Sequence, residues 1–289
     1  RPEKLSALRR HILTNIKDLP DMAEYMHRTI FNITEKYGKS DFLAIKYLGT
    51  KRIPYFFKIK AKLEFLIERV PLIPSNILDK ILFYLSKKIK QHLPKKMINY
   101  RDDYEHHLIL STSDSGIDEM RKYLDKHWAH CSNSSFFCCT PKEGEAALSH
   151  RFVAGGAAGN YQKIHDNQVD SILALDIALR RNDEDWVDDI PKNTKNCIIH
   201  SLYYGHFLCN VFHRNYLIKK GANKNKIKLE ILELLDKKKA KYPAEHNVGH
   251  VYKANSVLQK FYKKLDPTNT FNPGIGKTDK HKIKCNCCP

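Results

Sequence analysis

The stretch Ile198–His213 reads Ile-Ile-His-Ser-Leu-Tyr-Tyr-Gly-His-Phe-Leu-Cys-Asn-Val-Phe-His. Its aromatic and β-branched residues are typical of a strand. Two further strands are predicted by the apolar run Ile172–Leu179 and by residues 104–111, which read Tyr-Glu-His-His-Leu-Ile-Leu-Ser. The rest of the chain is mostly helical in pattern. We therefore expect an α+β fold in which helices flank antiparallel strands.

Helical spacing of apolar residues predicts most of the remaining elements. A helix over residues 5–38 breaks at Pro20 and resumes from Met22 to Tyr37. Residues 41–60 are poor in helix signals, and Phe136–Thr140 has the composition of a short strand. Further helices are predicted for residues 116–130, 141–151, 227–239 and 254–264.

The chain carries a formal net charge of +18, which predicts a polyanionic partner. Residues 41–100 hold 13 Lys and Arg against four acids, a net of +9 that is half of the total. Two amphipathic helices are predicted there, over residues 61–70 and from Ser75 or Asn76 to about residue 92. The lysines interleaved with apolar residues are the candidate membrane contacts: Lys58, Lys60, Lys62, Lys80, Lys87, Lys88, Lys90, Lys95 and Lys96.

Three interpretations of this basic stretch are open. Amphipathic helices can lie among lipid headgroups, where each basic residue near an anionic surface contributes roughly 1 kcal/mol. The plainer alternative is a set of solvated basic helices packed on a core. Nucleic-acid binding ranks last, because the sequence has no helix-turn-helix, zinc-finger or RNA-stacking signature. We therefore expect anionic membrane lipids as partners, and no nucleic acid.

The composition and the cysteine content indicate what broad class of protein this chain belongs to. Hydrophobic residues make up 42 % of the 289 residues, which is enough for a buried core. The chain opens on Arg1 without a start methionine or signal segment, as a fragment of a longer protein would. Its eight cysteines lack zinc-ribbon spacing and predict reduced thiols. The cluster Cys285, Cys287 and Cys288 could bind a soft metal, but a flexible, solvent-exposed tail is the favoured interpretation.

Several segments together carry a resemblance to a known family. Near the C-terminus the chain reads Tyr242-Pro-Ala-Glu-His-Asn-Val-Gly-His250, followed by Leu265-Asp-Pro-Thr-Asn-Thr-Phe-Asn-Pro-Gly-Ile-Gly-Lys277. Earlier segments are Glu24-Tyr-Met-His-Arg28, Leu202-Tyr-Tyr-Gly-His206 and Ile172-Leu-Ala-Leu-Asp-Ile-Ala-Leu-Arg-Arg-Asn-Asp183. These segments resemble bacterial quinone-dependent D-lactate dehydrogenases, which are flavoproteins of the vanillyl-alcohol-oxidase type. The resemblance covers nearly the whole chain.

The resemblance implies a three-part enzyme that is peripheral on the cytoplasmic face of the bacterial inner membrane. Its parts would be an antiparallel-sheet cap domain with flanking helices, an inserted basic helical membrane-binding segment, and a flavin domain. In this chain the cap would comprise residues 1–27, 105–142 and 167–236, and the membrane-binding domain residues 28–104 and 143–166. Residues 237–289 would complete the flavin domain, whose N-terminal FAD-binding lobe is expected to be absent. D-lactate would be the substrate and quinone the electron acceptor.

Oxidation of a 2-hydroxy acid needs a cation for the carboxylate, a base for the hydroxyl proton and an acceptor for the hydride. The resemblance implies that Arg151 binds the carboxylate, since a guanidinium can do so with two parallel hydrogen bonds. A surface salt bridge is the alternative for this residue. His246, beside Glu245, is the candidate base, because histidine titrates near neutral pH.

The resemblance also implies a divalent metal held by His206, His213 and Glu245. A straight strand would place His206 and His213 on opposite faces, so a bulge would be needed. The alternative is one buried and one surface histidine. Glu105 and His107 share a strand face, and His107, like His206, is a candidate for lining the substrate. Structural hydrogen bonding would explain His107 as well.

Two functions remain open at this stage. The leading one is the cap and membrane-binding portion of an FAD-dependent D-lactate:quinone oxidoreductase, inactive without its flavin lobe. The alternative is a stand-alone peripheral membrane-association module without catalysis. The Gly-rich stretch Val153–Gly159 lacks the preceding strand and following acid of a dinucleotide-binding motif, so it predicts no flavin site in this chain.

Overall fold

The computed structural model describes residues 2–49, 51–67, 69–71, 73–74, 76–129, 131, 133–244 and 253–283. At its centre lies a five-stranded antiparallel sheet with strand order β2-β1-β4-β5-β3. Its strands are β1 (Met22–His27), β2 (His106–Ser111), β3 (Val169–Ala178), β4 (Ile198–His206) and β5 (Val211–Lys219). Helices cover both faces of the sheet, and the predicted α+β class is confirmed.

The helices are α1 (Pro2–Asn15), α2 (Arg28–Tyr37), α3 (Lys39–Leu48), α4 (Ile53–Ile67), α5 (Ile77–Lys88), α6 (Lys95–Asp103), α7 (Ser115–His127), α8 (Pro141–Ile164), α9 (Lys192–Asn196), α10 (Lys224–Lys237) and α11 (Ser256–Leu265). A short 3-10 helix spans Ile275–Lys277. Among the described residues, no helix combines the length and apolar character needed to cross a bilayer.

Two hydrophobic cores lie on opposite faces of the sheet. The first packs α1, α7 and α10 against the strands, with Trp186 fully buried within it. The second packs α2, α6 and α8 against the other face. Successive strand residues point to opposite faces, so Tyr25 belongs to the first core and Met26 to the second, and both are fully buried.

The small-residue stretch Val153–Gly159 lies in the middle of α8, a continuous helix of 24 residues. Ala154, Ala157 and Ala158 are buried against the second core, because small side chains let neighbouring elements approach closely. The helix begins with a capping box, in which Thr140 and Glu143 each satisfy the other's backbone N–H. The helix predicted for 141–151 is confirmed, and it continues to Ile164.

Met22–His27 is a strand, so the helix predicted to resume at Met22 is wrong over these residues. The segment lies between β2 and β4 and is covered on both faces. A strand covered on both faces has no alternation of polar and apolar residues. Its apolar residues therefore run on into those of α2 and imitate one helical periodicity.

Residues 41–60 are largely helical, contrary to the expectation from their sequence. Gly49 ends α3 with a positive φ of 72°. Pro54 is the second residue of α4, where its missing N–H would have had no helical partner. The strand predicted for Phe136–Thr140 is also wrong: these residues are irregular, and Thr140 serves as the N-cap of α8.

All five strands fall within the ranges predicted for the cap domain, and residues 28–104 and 143–166 contain the helices α2–α6 and most of α8. Each predicted boundary at residues 27 and 105 coincides with a change from strand to helix or from helix to strand. How the chain divides into domains stays a prediction.

One buried histidine, His150, and two half-buried ones, His92 and His107, lie in and around the second core. The ring of His150 packs on Phe31 with 4.3 Å between centroids, His107 packs on Phe31 at 5.1 Å, and His92 packs on Phe42 at 4.4 Å. Burial disfavours the charged imidazolium. It lowers the pKa of His150 to about 3 and the pKa values of His92 and His107 to about 4.

The unfolded chain should bind protons at these histidines below a pKa of about 6.5, whereas the folded chain does not. The free energy of unfolding should therefore fall as the pH falls, by about 2 kcal/mol between pH 7.5 and pH 5 through His150 alone. Denaturant titrations of His150→Gln should show a shallower pH dependence than the parent chain. His281→Gln, at an exposed histidine, is the control and should keep the pH dependence of the parent chain. The same pH dependence in His150→Gln as in the parent chain would contradict the lowered pKa of His150.

Candidate functional site

The hairpin formed by β4 and β5 places His206 and His213 side by side. The chain turns through residues 207–210, and Tyr204 pairs with His213 across the ladder. Since residues two apart on a strand share a face, Tyr204 and His206 face the same way as His213. The expectation of one straight strand over 198–213 is wrong, and the turn replaces the bulge that it would have required.

Each histidine is held by a carboxylate from a neighbouring strand. His206 pairs with Glu24 of β1, and its Nδ1–H donates to Glu24 Oε1 over 2.8 Å. His213 pairs with Asp176 of β3, and its Nδ1–H donates to Asp176 Oδ1 over 2.6 Å. Four strands of the sheet thus contribute one group each to the cluster.

The opposite ring nitrogens converge, with 3.4 Å between His206 Nε2 and His213 Nε2. Because each Nδ1 donates to a carboxylate, the Nε2 atom of each neutral ring is an acceptor that can bind a proton or a metal cation. Two imidazole ligands on a tetrahedral metal, each about 2.0–2.1 Å from it, lie roughly 3.4 Å apart. A carboxylate on the far nitrogen is also the usual second shell of a histidine ligand.

The geometry therefore fits two ligands of a divalent cation. Among the described residues, no set of three His, Cys, Asp or Glu side chains is close enough to hold a metal. The third predicted ligand, Glu245, lies outside the described residues, as do His246 and His250.

Arg151 joins the same cluster from α8. Its Nε and Nη2 donate to Glu24 Oε2 over 2.9 and 2.8 Å, and its guanidinium lies 4.9 Å from the ring centroid of Tyr204. Burial raises the pKa of Glu24, but the hydrogen bond from His206 and the charge of Arg151 outweigh it. The pKa of Glu24 is thus lower than usual, and the carboxylate is ionised at neutral pH. The structure brings Arg151, His206 and His213 together as a group.

His107 lies apart from this cluster along the sheet. His107 lies on the edge strand β2, where it pairs with Met26 of β1, and its ring packs on Phe31. Together with Phe31 and Met97 it lines a cavity of about 960 Å³ beside β2. Its role in lining the substrate stays a prediction.

A second feature of the molecule is an exposed apolar face on α4 and α5. None of the described residues of α4 is buried, and Tyr55 and Phe65 expose 69 % and 56 % of their surface. On α5, Tyr84 exposes 61 %. Large apolar side chains exposed in such numbers on neighbouring helices are typical of a protein or membrane contact. The further exposed apolar residues of the patch are Phe57, Ile59, Leu63, Leu66, Ile81 and Leu85.

Seven of the nine predicted membrane-contact lysines are exposed: Lys58 and Lys62 on α4, Lys87 and Lys88 on α5, Lys90 just after α5, and Lys95 and Lys96 on α6. The other two form ion pairs inside the protein. Lys60 pairs with the buried Asp79, and Lys80 Nζ lies 2.8 Å from Asp166 Oδ2. These two lysines are held in ion pairs, so the exposed lysines of the predicted set are the other seven.

The model of a protein family described as "D-lactate dehydrogenase, membrane binding" matches residues 1–283. The chain belongs to this family. Quinone-dependent D-lactate dehydrogenases from Escherichia coli (strain K12), Haemophilus influenzae and Corynebacterium glutamicum are 48 %, 48 % and 35 % identical to it, over 97 %, 96 % and 96 % of the chain. The match covers 49 % of each of these relatives. The chain thus spans about half the length of the relatives that it matches.

In this member of the D-lactate dehydrogenase membrane-binding family, sequence reasoning missed Glu24, Asp176 and Tyr204. Asp176 did carry a signal, since it is the one charged residue in the apolar run Ile172–Leu179. Glu24 lies within one of the segments that carry the family resemblance, Glu24–Arg28. Neither signal assigned a partner, because the partners follow from strand order and register.

Proposed function

We propose that the chain is the cap and membrane-binding portion of an FAD-dependent D-lactate:quinone oxidoreductase. The complete protein would oxidise D-lactate to pyruvate and pass the electrons to membrane quinone. One observation supports the catalytic part above all others. His206 and His213 direct their Nε2 atoms at one point, 3.4 Å apart, with a carboxylate behind each ring and Arg151 beside them.

In this proposal His206, His213 and Glu245 hold a divalent cation. Such a cation polarises a bound hydroxyl group and lowers its pKa. Glu24 and Asp176 keep each imidazole in the tautomer whose Nε2 can act as a ligand. His246 takes the hydroxyl proton, because a neutral imidazole is the side chain best suited to that step near pH 7.

Arg151 is proposed to bind the carboxylate of the substrate. Its half-buried guanidinium lies beside Tyr204 and is already bound to Glu24, so it cannot turn away to solvent without breaking two hydrogen bonds. A 2-hydroxy acid whose hydroxyl group lies near the histidine pair would place its carboxylate within reach of this cation. His206, which is bound to the same Glu24 carboxylate as Arg151, would also contact the substrate.

The Gly-rich stretch of this chain does not form a phosphate-binding loop for a flavin. This stretch, Val153–Gly159, is the interior of α8, where the backbone N–H groups are engaged in the helix and cannot bind phosphate. FAD is therefore proposed for the complete protein on the family resemblance, and bound mainly by the part that this chain does not include.

For the membrane contact we propose that α4 and α5 lie on anionic lipid at the cytoplasmic face of the inner membrane. Apolar side chains such as Phe65 and Tyr84 would enter the headgroup region, and the seven exposed lysines would bind lipid phosphates. The family description supports a membrane contact. Charge complementarity favours anionic lipid.

The enzymatic proposal is tested by turnover of the complete protein with D-lactate and a quinone analogue. Loss of a positioned base typically costs roughly 100- to 10,000-fold in rate, so His246→Ala should lower turnover by that much while flavin content stays normal. His206→Ala should also lower it strongly. His200→Ala is the matched control on the same strand and face, and it should retain most activity. Near-normal turnover in both His246→Ala and His206→Ala would contradict the proposed site.

The membrane proposal is tested by sedimentation of the chain with lipid vesicles. The chain should bind anionic vesicles more strongly than neutral ones, and 1 M salt should weaken binding because the Debye length shrinks to roughly 3 Å. Reversing Lys87, Lys88 and Lys90 to Glu should release the chain. The control reverses three exposed lysines elsewhere: Lys219, Lys220 and Lys237. Release by the control, or equal binding to neutral and anionic vesicles, would count against a specific electrostatic face.

A further inference from the structure

A buried cation contacts the turn that joins the two histidines. Arg9, on α1, is almost fully buried. Its Nη1 donates to Asn210 Oδ1, and its Nη2 donates to the carbonyl oxygen of Arg181. Its guanidinium lies 5.8 Å from the ring centroid of Trp186. Burying a charge costs free energy unless hydrogen bonds compensate for it. The hydrogen bonds of Arg9 to Asn210 and Arg181 therefore offset the cost of burying its guanidinium.

Asn210 is the residue through which this contact reaches the hairpin. It is buried and has a positive φ of 59°, which asparagine tolerates better than most residues. Its side-chain amide donates to the carbonyl oxygen of Arg180 over 2.8 Å, and its own carbonyl accepts from the N–H of Leu179 over 3.1 Å. The turn is therefore attached to the segment that directly follows β3.

The segment after β3 and the turn at residues 207–210 together determine where both histidines lie. β3 carries Asp176, which holds His213, and the turn separates His206 from His213. A shift of the turn relative to the end of β3 would change the distance between the two Nε2 atoms. Arg9 bridges these two parts directly, because one of its nitrogens is bound to each.

We infer that Arg9 and Asn210 are positioning residues for the histidine pair, and that they set its affinity for a divalent cation. This inference rests on the proposed cation site. Neither side chain is a ligand, so their effect is on the geometry of His206 and His213. Loss of an outer partner of a metal ligand typically weakens metal binding by roughly 10- to 100-fold.

The test is a titration of the 289-residue chain with Co²⁺, followed by visible absorption and calorimetry, with circular dichroism to verify folding. Asn210→Gly keeps the backbone able to adopt a positive φ but removes both side-chain contacts, and it should weaken Co²⁺ binding at least about 10-fold. Asn210→Asp retains an acceptor for Arg9 and should bind within a few-fold of the parent. Arg9→Met should match Asn210→Gly, whereas Arg10→Met, at the exposed neighbour paired with Glu184, should have no effect.

The outcomes separate this inference from the site on which it rests. If the parent chain binds no Co²⁺, the cation site itself is withdrawn, and the positioning role with it. If the parent binds Co²⁺ and folded Asn210→Gly binds it equally well, the cation site stands and the positioning role is overturned. Weakening in Asn210→Gly with retention in Asn210→Asp supports the positioning role, even if Arg9→Met fails to fold.

Discussion

The antiparallel register of β4 with β5 is the constraint on which the candidate site depends. It sets Tyr204 opposite His213 and thereby puts His206 and His213 on one face of the sheet. The neighbouring registers add Glu24 from one side and Asp176 from the other. A slip by one residue would turn His213 to the opposite face, into the core that contains Phe212 and Tyr216. The geometry of the site is therefore fixed by the strand register.

Helix α8 connects this cluster to the proposed membrane surface. Arg151 binds Glu24 near the middle of the helix, while Asn160 donates to Asp41 over 2.8 Å and Lys163 Nζ lies 3.1 Å from Asp79 Oδ2 near its end. These contacts fasten α3 and α5 to α8. Since twelve residues of helix span about 18 Å, one rigid element holds the exposed helices at a fixed position relative to the histidine pair.

Much of the fold was predictable where periodicity was unambiguous. The strand at Ile172–Leu179 and the helices α7, α10 and α11 follow directly from their patterns, and so does the amphipathic helix α5 that begins after Asn76. The predictions failed where burial on two faces removed alternation, as in β1, or where apolar residues are exposed, as in residues 53–60 of α4. The amphipathic helix predicted for residues 61–70 is the second half of α4, which ends at Ile67. A helix whose apolar residues are exposed has few buried positions, so its pattern does not indicate a core.

The site was predictable only in part. The family resemblance named His206 and His213, but a single strand over Ile198–His213 would have placed them on opposite faces of the sheet. The turn at 207–210 contains no glycine or proline, and Asn210 adopts its positive φ within buried hydrogen bonds to Arg9, Arg180 and Leu179. These long-range contacts leave no local signature. The carboxylates of Glu24 and Asp176 were missed for the same reason, since each meets its histidine through strand pairing.

The claim that the paired imidazoles bind a divalent cation is central to this account. X-ray absorption spectroscopy of the Zn²⁺-loaded chain, alone and as the His213→Ala variant, tests it most directly. The account predicts two imidazole nitrogens at about 2.0–2.1 Å from the metal in the parent chain and one in the variant. Coordination by oxygen alone in the parent chain, or an unchanged number of imidazoles in the variant, would contradict it.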